Sequence, residues 1–427
     1  MTKHITDRAR MARHWLILAD DLTGAADCAI AFGRMGREAV VTWGDATKPS
    51  HRQAAVWAHD VASRGLSSEA AAARHLGVLA RLPMSERALF KKIDSTLRGQ
   101  PAAELAATLA HLKSGAERIF AVLAPAFPAT GRTTVDGRVL VHGAALEETE
   151  LWRRDHTYPN ADLDDVLATA GICGEKVTLA AVRGGDLRAR FATMADRSAT
   201  VVAICDAETE NDLALIAEAG LHASPASVFI GSAGLAHALA NLEGRGDSEA
   251  LRIPAGKFGT LTVVGSLAGA SRIAARRLRE TGTAAYFPVE PKALAGNDVD
   301  RAELASGVMA RLANGGDALV EISLNDSPNM SAGPLLAHNL ATALQVAAPV
   351  IGAIAVTGGE TAAALLSGLG VNAIRLADEI EPGVSLGLTL GSLSVPVVTK
   401  AGAFGDADSL VRINERLHAV RTRGSFA

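Results

Sequence analysis

Two adjacent carboxylates, Asp20 and Asp21, follow the apolar run Trp15 to Ala19 and precede Leu22-Thr23-Gly24. If that run is a strand leading into a helix, both aspartates lie in the crevice at the carboxyl end of an α/β sheet, where ligands bind. A carboxylate there can hold a polyol hydroxyl or take its proton. Helix capping is the competing explanation, since aspartate and threonine both cap well, although one cap needs only one aspartate. A second group follows the run Ala88 to Ile93: Lys91, Lys92, Asp94, Ser95, Thr96 and Arg98, all within eight positions. Cations mixed with hydroxyls suit a small substrate that carries a carboxylate and hydroxyl groups; a solvated loop is the alternative. Arg64, in Asp60-Val-Ala-Ser-Arg-Gly65, falls past another short run and can join the same crevice.

The C-terminal half carries a different grammar. The segment Ile354-Ala-Val-Thr-Gly-Gly-Glu-Thr361 runs from an apolar strand through Gly358-Gly359 straight into a helix. Exposed N–H groups in the first turn, reinforced by the helix dipole, make an anion site, and paired glycines let a phosphate approach the backbone. Thr361 can add a hydroxyl donor, and Glu360 can orient a metal-bound water or a ribose hydroxyl. A tight turn without a ligand remains open at this point. Gly265-Ser266 after Thr262-Val-Val, and Lys400-Ala-Gly402-Ala-Phe-Gly-Asp406, repeat the pattern. Three such turns point to a phosphate-rich ligand at strand ends. Neither a Walker A loop nor a G-x-G-x-x-G after the first strand is present, which counts against a dinucleotide oxidoreductase.

The elements that must position these residues alternate short apolar runs with amphipathic stretches, the pattern of α/β layers. Strands are expected at 15–19, 56–58, 88–93, 119–123, 177–182, 200–205 and 227–230. Helices are expected at 23–35, 67–82, 101–112 and 233–242. Residues 124–160 break the rhythm, with Asp136-Gly137 as a hairpin signal. Residues 243–259, rich in charge and glycine, read as a linker. Beyond it a new series begins, with strands at 260–264, 318–322 and 351–356 and helices at 271–279 and 335–346. The expectation is two α/β domains with mostly parallel sheets, 1–245 and 246–427, and an active site in the cleft between them.

Composition narrows the class. The 427 residues are 48% hydrophobic and 21% charged, with a net charge of −4. That balance gives no general attraction to nucleic acid or an anionic membrane. Three scattered cysteines without CxxC spacing, and the lack of any secretory or membrane-length apolar run, point to the cytoplasm. Twelve histidines lack paired metal-ligand spacing, so no metal site is expected on the protein itself. Arg272, Arg276, Arg277 and Arg279 read as a solvated helix face.

Taken together, the blocks LILADDLTGAADCA, KKIDSTLRG, LAPAFPATGRTTVDGRVLVHG, VTGGETAAALL, EIEPGVSLG and TKAGAFGD resemble the four-carbon acid sugar kinases, which phosphorylate D-threonate, D-erythronate or 3-oxo-tetronate with ATP. The blocks occur in family order from Leu16 to about Asp406. The resemblance implies an N-terminal sugar-acid-binding domain and a C-terminal nucleotide-binding domain. It implies that Asp21, Arg64, Lys92, Asp94, Ser95 and Thr96 hold the acid, and that Ser266, Gly358, Gly359, Glu360, Thr361 and Gly402 hold ATP. Val61 departs from the family, where many relatives have threonine. The expected reaction is in-line transfer from ATP to the 4-hydroxyl, with Mg²⁺ bridging the phosphates and the domains closing over the reactants. Asp21, beside the acid, and Asp406, after the glycine turn, are the two candidates for the catalytic base. D-threonate is the first choice of acid, ahead of 3-oxo-tetronate and D-erythronate. A nicotinamide oxidoreductase and a non-catalytic sugar-acid sensor are the readings from other classes. The Ala-rich helices could supply a homodimer interface.

Overall fold

The computed structural model describes residues 13–426 except 45–50, 52, 83–86, 155, 198–199, 224–226, 296–297 and 324–332. Among these, fifteen strands form one continuous sheet and three short ones a second. The N-terminal part contributes eight parallel strands. His14–Ala19 lies between Val56–Asp60 and Arg87–Lys92, and Ala39–Trp43 forms the border toward the C-terminal part. The C-terminal part contributes five parallel strands, with Thr260–Val264, Ala353–Thr357 and Pro396–Lys400 side by side. An antiparallel hairpin, Val371–Glu381 and Val384–Gly391, joins the two: one arm pairs with Pro396–Lys400 and the other with Ala39–Trp43. The two parallel sets are thus edge-bonded into one sheet rather than merely packed together.

Most expected elements are present, and the misses have local causes. The segment expected as a strand at 177–182 divides into the strand Gly174–Val177 and the helix Leu179–Arg183, because extended Thr178 (φ −64°, ψ 163°) turns the chain between them. The strands Ala39–Trp43, Ala284–Val289 and Pro396–Lys400 and the hairpin 371–391 are not among the expected elements. The hairpin is irregular, with register shifts that blur its alternation. Asp136-Gly137 does close a hairpin: both residues have positive φ, 50° and 76°, as a two-residue primed turn requires. Of the arginines on Gly269–Glu280, three are exposed, whereas Arg272 bonds Glu321 at 2.9 Å. No helix among the described residues is long and apolar enough to cross a membrane.

Helix Leu22–Arg34 is central to the site. Its sequence LTGAADCAIAF is buried throughout, since small residues let it pack tightly against the strands beneath it and the joining hairpin. Asp21 caps it, accepting from Gly24 N at 2.9 Å.

Candidate active site

The carboxyl ends of His14–Ala19, Val56–Asp60 and Arg87–Lys92 bring six charged groups together. Arg64 donates twice to Asp20, from Nε at 2.7 Å and Nη2 at 2.9 Å, and reaches Asp21 Oδ2 at 2.8 Å and Asp94 Oδ1 at 3.5 Å. Lys92 Nζ lies 3.5 Å from Asp20 and 3.8 Å from Asp21. Arg98 forks onto Asp94 at 2.9 and 2.7 Å. Three carboxylates thus face three cations, which is what allows so many charges to be buried. Burial alone would raise the Asp94 carboxyl, but Arg98 and Arg64 outweigh it and hold it well below its usual value. Asp20 is lowered in the same way, its burial outweighed by Arg64 and Lys92. Burial disfavours charge on Lys92 as well, yet Asp20 and Asp21 keep it above the ordinary lysine value. Charge is therefore fixed before any substrate arrives.

The opposite wall is built from the three glycine turns. Gly358 has φ +91°, a conformation that favours glycine, and its N–H donates to Lys400 O at 3.0 Å. Helix Gly359–Gly368 begins at once. A Cβ on Gly265 would lie 2.1 Å from Thr361 Oγ1, and one on Gly402 2.1 Å from Ser266 Oγ. These approaches draw Ser266, Gly358, Thr361 and Gly402 into one cradle without side chains to obstruct it, and a run of phosphates fits such a surface. Lys400 lies behind it, fully buried, with Nζ 3.4 Å from Ser271 Oγ. Burial lowers its pKa to about 8, against the pull of Glu381 and Asp406.

The walls meet at Asp21. A Cβ on Gly359 would fall 2.5 Å from Asp21 Oδ2, so that carboxylate rests against the N-terminal end of helix Gly359–Gly368. Beside it opens a solvent-connected cleft. It is lined by Asp21, Asp27, Arg64, Lys92, Asp94, Ser95 and Arg98 from one part of the chain and by Ala401 and Phe404 from the other. Phe127, from the 124–143 loop, packs 6.1 Å from Phe404 between ring centroids, and the Arg132 guanidinium sits 4.3 Å over the Phe404 ring. Residues 124–143 therefore contribute Phe127 to the cleft wall.

Placement of the expected residues varies. Asp21, Arg64, Lys92, Asp94 and Ser95 line the cleft. Thr96 turns its hydroxyl onto Asp94 Oδ2 at 2.5 Å. Glu360 extends toward the N-terminal part, with Oε1 3.6 Å from where a Cβ on Gly65 would stand. Val61, the family departure, is buried in an apolar cluster. Asp406 is not among the lining residues: its exposed side chain accepts from Arg412 at 2.9 Å and from Asp408 N at 2.9 Å. These bonds tie it to the start of helix Ser409–Arg423. Arg98, Asp27, Phe127, Ser232 and Phe404 line the cleft without having been singled out. Arg98 and Phe404 stand inside the motif blocks, whereas nothing local marks Asp27.

Comparison with known proteins agrees with this division of labour. A family model described as a sugar-binding N-terminal domain matches residues 15–239, and one described as a nucleotide-binding C-terminal domain matches residues 261–410. A D-threonate kinase of Cupriavidus necator is 43% identical, over 93% of this chain and 96% of its own. A D-threonate kinase of Bordetella bronchiseptica is 34% identical over 95% and 97%. A 3-oxo-tetronate kinase of Cupriavidus necator is 29% identical over 92% and 94%. The fold is shared with a crystal structure from Salmonella typhimurium LT2, at a TM-score of 0.73 and 21% identity, covering 93% of this chain and 97% of that one. Haemophilus influenzae protein HI1011 also shares it, at 0.68 and 21%, over 96% and 100%. With a carboxylate-and-cation cluster on one wall, a glycine cradle on the other and both family models in register, the chain belongs to the four-carbon acid sugar kinase family.

Proposed function

We propose that the protein transfers the γ-phosphoryl group of ATP to the 4-hydroxyl of a four-carbon sugar acid, with D-threonate as the acid. The observation that carries this reading is the contact between Asp21, in the acid-binding cluster, and Gly359, at the start of the phosphate-binding helix. With the acid held on the Asp21 side and the phosphates on the Gly359 side, the two reactants would lie side by side. D-threonate rests on the 43% identity to a kinase of that name, against 29% for a 3-oxo-tetronate kinase and 26% for a D-erythronate kinase.

In this mechanism Arg64, Lys92 and Ser95 hold the acid, while Asp21 and Asp94 fix those cations and accept from substrate hydroxyls. Ser266, Gly358 to Thr361 and Gly402 receive the ATP phosphates, with backbone N–H groups at the helix start facing the negative charge. Among the described residues no three His, Cys, Asp or Glu side chains gather as a metal site of their own. Mg²⁺ belongs with its nucleotide as MgATP, where it neutralises phosphate charge. Phe127 and Phe404 exclude water from the cleft, which favours transfer to the acid over hydrolysis. The three cysteines are free, two of them buried, which fits a cytoplasmic enzyme.

The test is ADP release from MgATP, coupled to NADH oxidation, with D-threonate, L-threonate, D-erythronate and 3-oxo-tetronate offered singly. Turnover with D-threonate well above the rest supports the reading. Preference for another acid changes the substrate, and no release above a blank without acid removes the kinase.

A further inference from the structure

Asp21, Asp27 and Asp94 line the cleft and Asp20 is bonded to its Arg64; of these four carboxylates three are already engaged. Asp20 is forked by Arg64, and Asp94 by Arg98. Asp21 accepts from Gly24 N, Thr23 Oγ1 at 2.7 Å and Arg64 at 2.8 Å. At Asp20 and Asp94 the facing cations hold the ionised form against burial, and at Asp21 three donors already occupy the carboxylate. Asp27 is different. It lies on the same helix as Asp21, lines the cleft and is only 5% exposed, and its Oδ1 is buried without a hydrogen-bond partner among the described residues. A carboxyl desolvated without a partner in a reaction cleft calls for a functional explanation.

Its surroundings explain how it can remain there. Burial, and after it the negative charge of Glu379 on strand Val371–Glu381, raises the Asp27 carboxyl to about 7, with His237 and Lys92 pulling the other way and Asp21 adding to the rise. Arg132 from the hairpin and Cys28 on the same helix also sense its charge. Glu379 is held by Arg34 at 2.7 Å and by His237 at 3.6 Å, and Phe127 stacks on the His237 ring at 6.2 Å. The opposite side of the cleft presents Ala401 and Phe404, beside the Gly402 turn assigned above to phosphate.

We propose that Asp27 is the general base that accepts the proton of the substrate hydroxyl as it attacks the γ-phosphorus. The assignment rests on the kinase reading above. In the step, the hydroxyl O–H bond breaks and its proton passes to the Asp27 carboxylate. The hydroxyl oxygen forms a bond to γ-phosphorus, and the bond from γ-phosphorus to the β,γ-bridging oxygen breaks, its electron pair leaving with ADP. Asp27 returns the proton to water when the cleft opens to release product. Asp21 keeps its place as the group that orients Arg64.

The experiment is the pH dependence of kcat/KM for whichever acid the wild type turns over best, from pH 5.5 to 9, in wild type, Asp27→Asn and Glu379→Gln. A base must be deprotonated, so wild-type kcat/KM falls about tenfold per pH unit below a midpoint near 7. Asp27→Asn lowers kcat at pH 8 about 100-fold, keeps KM for both substrates within about threefold and abolishes the acidic limb. Glu379→Gln removes the neighbouring negative charge and moves the limb to lower pH. Asp27→Asn retaining kcat within about threefold, or retaining the limb at the same midpoint, overturns the assignment. So does a limb that Glu379→Gln leaves unmoved, a result that does not depend on how well the Asn variant folds. Absence of wild-type turnover with every acid overturns the kinase reading and the base with it, which separates the two failures.

Discussion

Gly359→Ala tests whether the acid site and the phosphate turn are joined as tightly as Asp21 and Gly359 indicate. The new methyl would lie 2.5 Å from Asp21 Oδ2 and 3.1 Å from Asp21 Cβ and Cγ. Relief requires a displacement of roughly 1 Å to restore ordinary contact. Asp21 cannot yield freely, because Gly24 N, Thr23 Oγ1 and Arg64 hold it at 2.9, 2.7 and 2.8 Å. Moving it breaks at least one charge-assisted hydrogen bond, about 1.5–3 kcal/mol, and mispositions both reactants. The expected outcome is a fall in kcat/KM of about 10- to 150-fold toward both acid and MgATP. Alanine is the better helix former by at most about 1 kcal/mol, so the melting temperature should change by only a few degrees. The assay is ADP release with each substrate varied in turn, beside a thermal melt. In an Asp21→Ala background the same substitution should cost little, since the clashing carboxylate is gone. Wild-type kcat/KM for Gly359→Ala, or an equal loss in the Asp21→Ala background, refutes the reasoning.

Arg64→Met strips the cation from three carboxylates and should destabilise the fold by about 3–5 kcal/mol at neutral pH, read by urea denaturation. Because Asp20 and Asp94 are depressed when folded, the stabilisation from Arg64 is present above the unfolded carboxylate value and lost as pH falls through the folded one. The gap between wild type and variant should therefore narrow below about pH 4. Lys400 follows the same sign in a higher window: depressed to about 8 when folded, it binds fewer protons than in the unfolded chain up to its ordinary value of 10.5. Stability should climb with pH across that window, by on the order of 3 kcal/mol at most, and Lys400→Met should lose this rise in melts at pH 7.5 and 9.5. Asp406→Asn alters an exposed pair with Arg412 and should keep kcat/KM within about threefold. A hundredfold loss would return Asp406 to the chemistry.

Local sequence marks the groups that the fold later brings to one cleft. Asp20-Asp21, the Lys91–Arg98 cluster and Gly358-Gly359 each announce themselves, because a strand end, a helix cap and a positive φ restrict residue type over a few positions. The alternation of runs likewise disclosed the α/β layers, since period and burial follow from one strand or helix at a time. Asp406 shows the limit. A carboxylate after a glycine turn is a candidate by position, and only the fold shows that it pairs with Arg412, six residues on, and lies outside the cleft lining.

What tertiary structure alone decided is which of these pieces touch. The hairpin 371–391 joins both parts into one sheet through pairings with Ala39–Trp43 and Pro396–Lys400, and its register shifts hide it from any periodic pattern. By fixing that join, the sheet brings Asp21 against Gly359, 338 positions away in the chain. Asp27 reads as one acidic residue in a helix of mostly small and apolar residues. Its raised basicity comes from burial and from Glu379, on a strand more than three hundred residues distant, and long-range electrostatics of that kind leaves no local mark in a sequence.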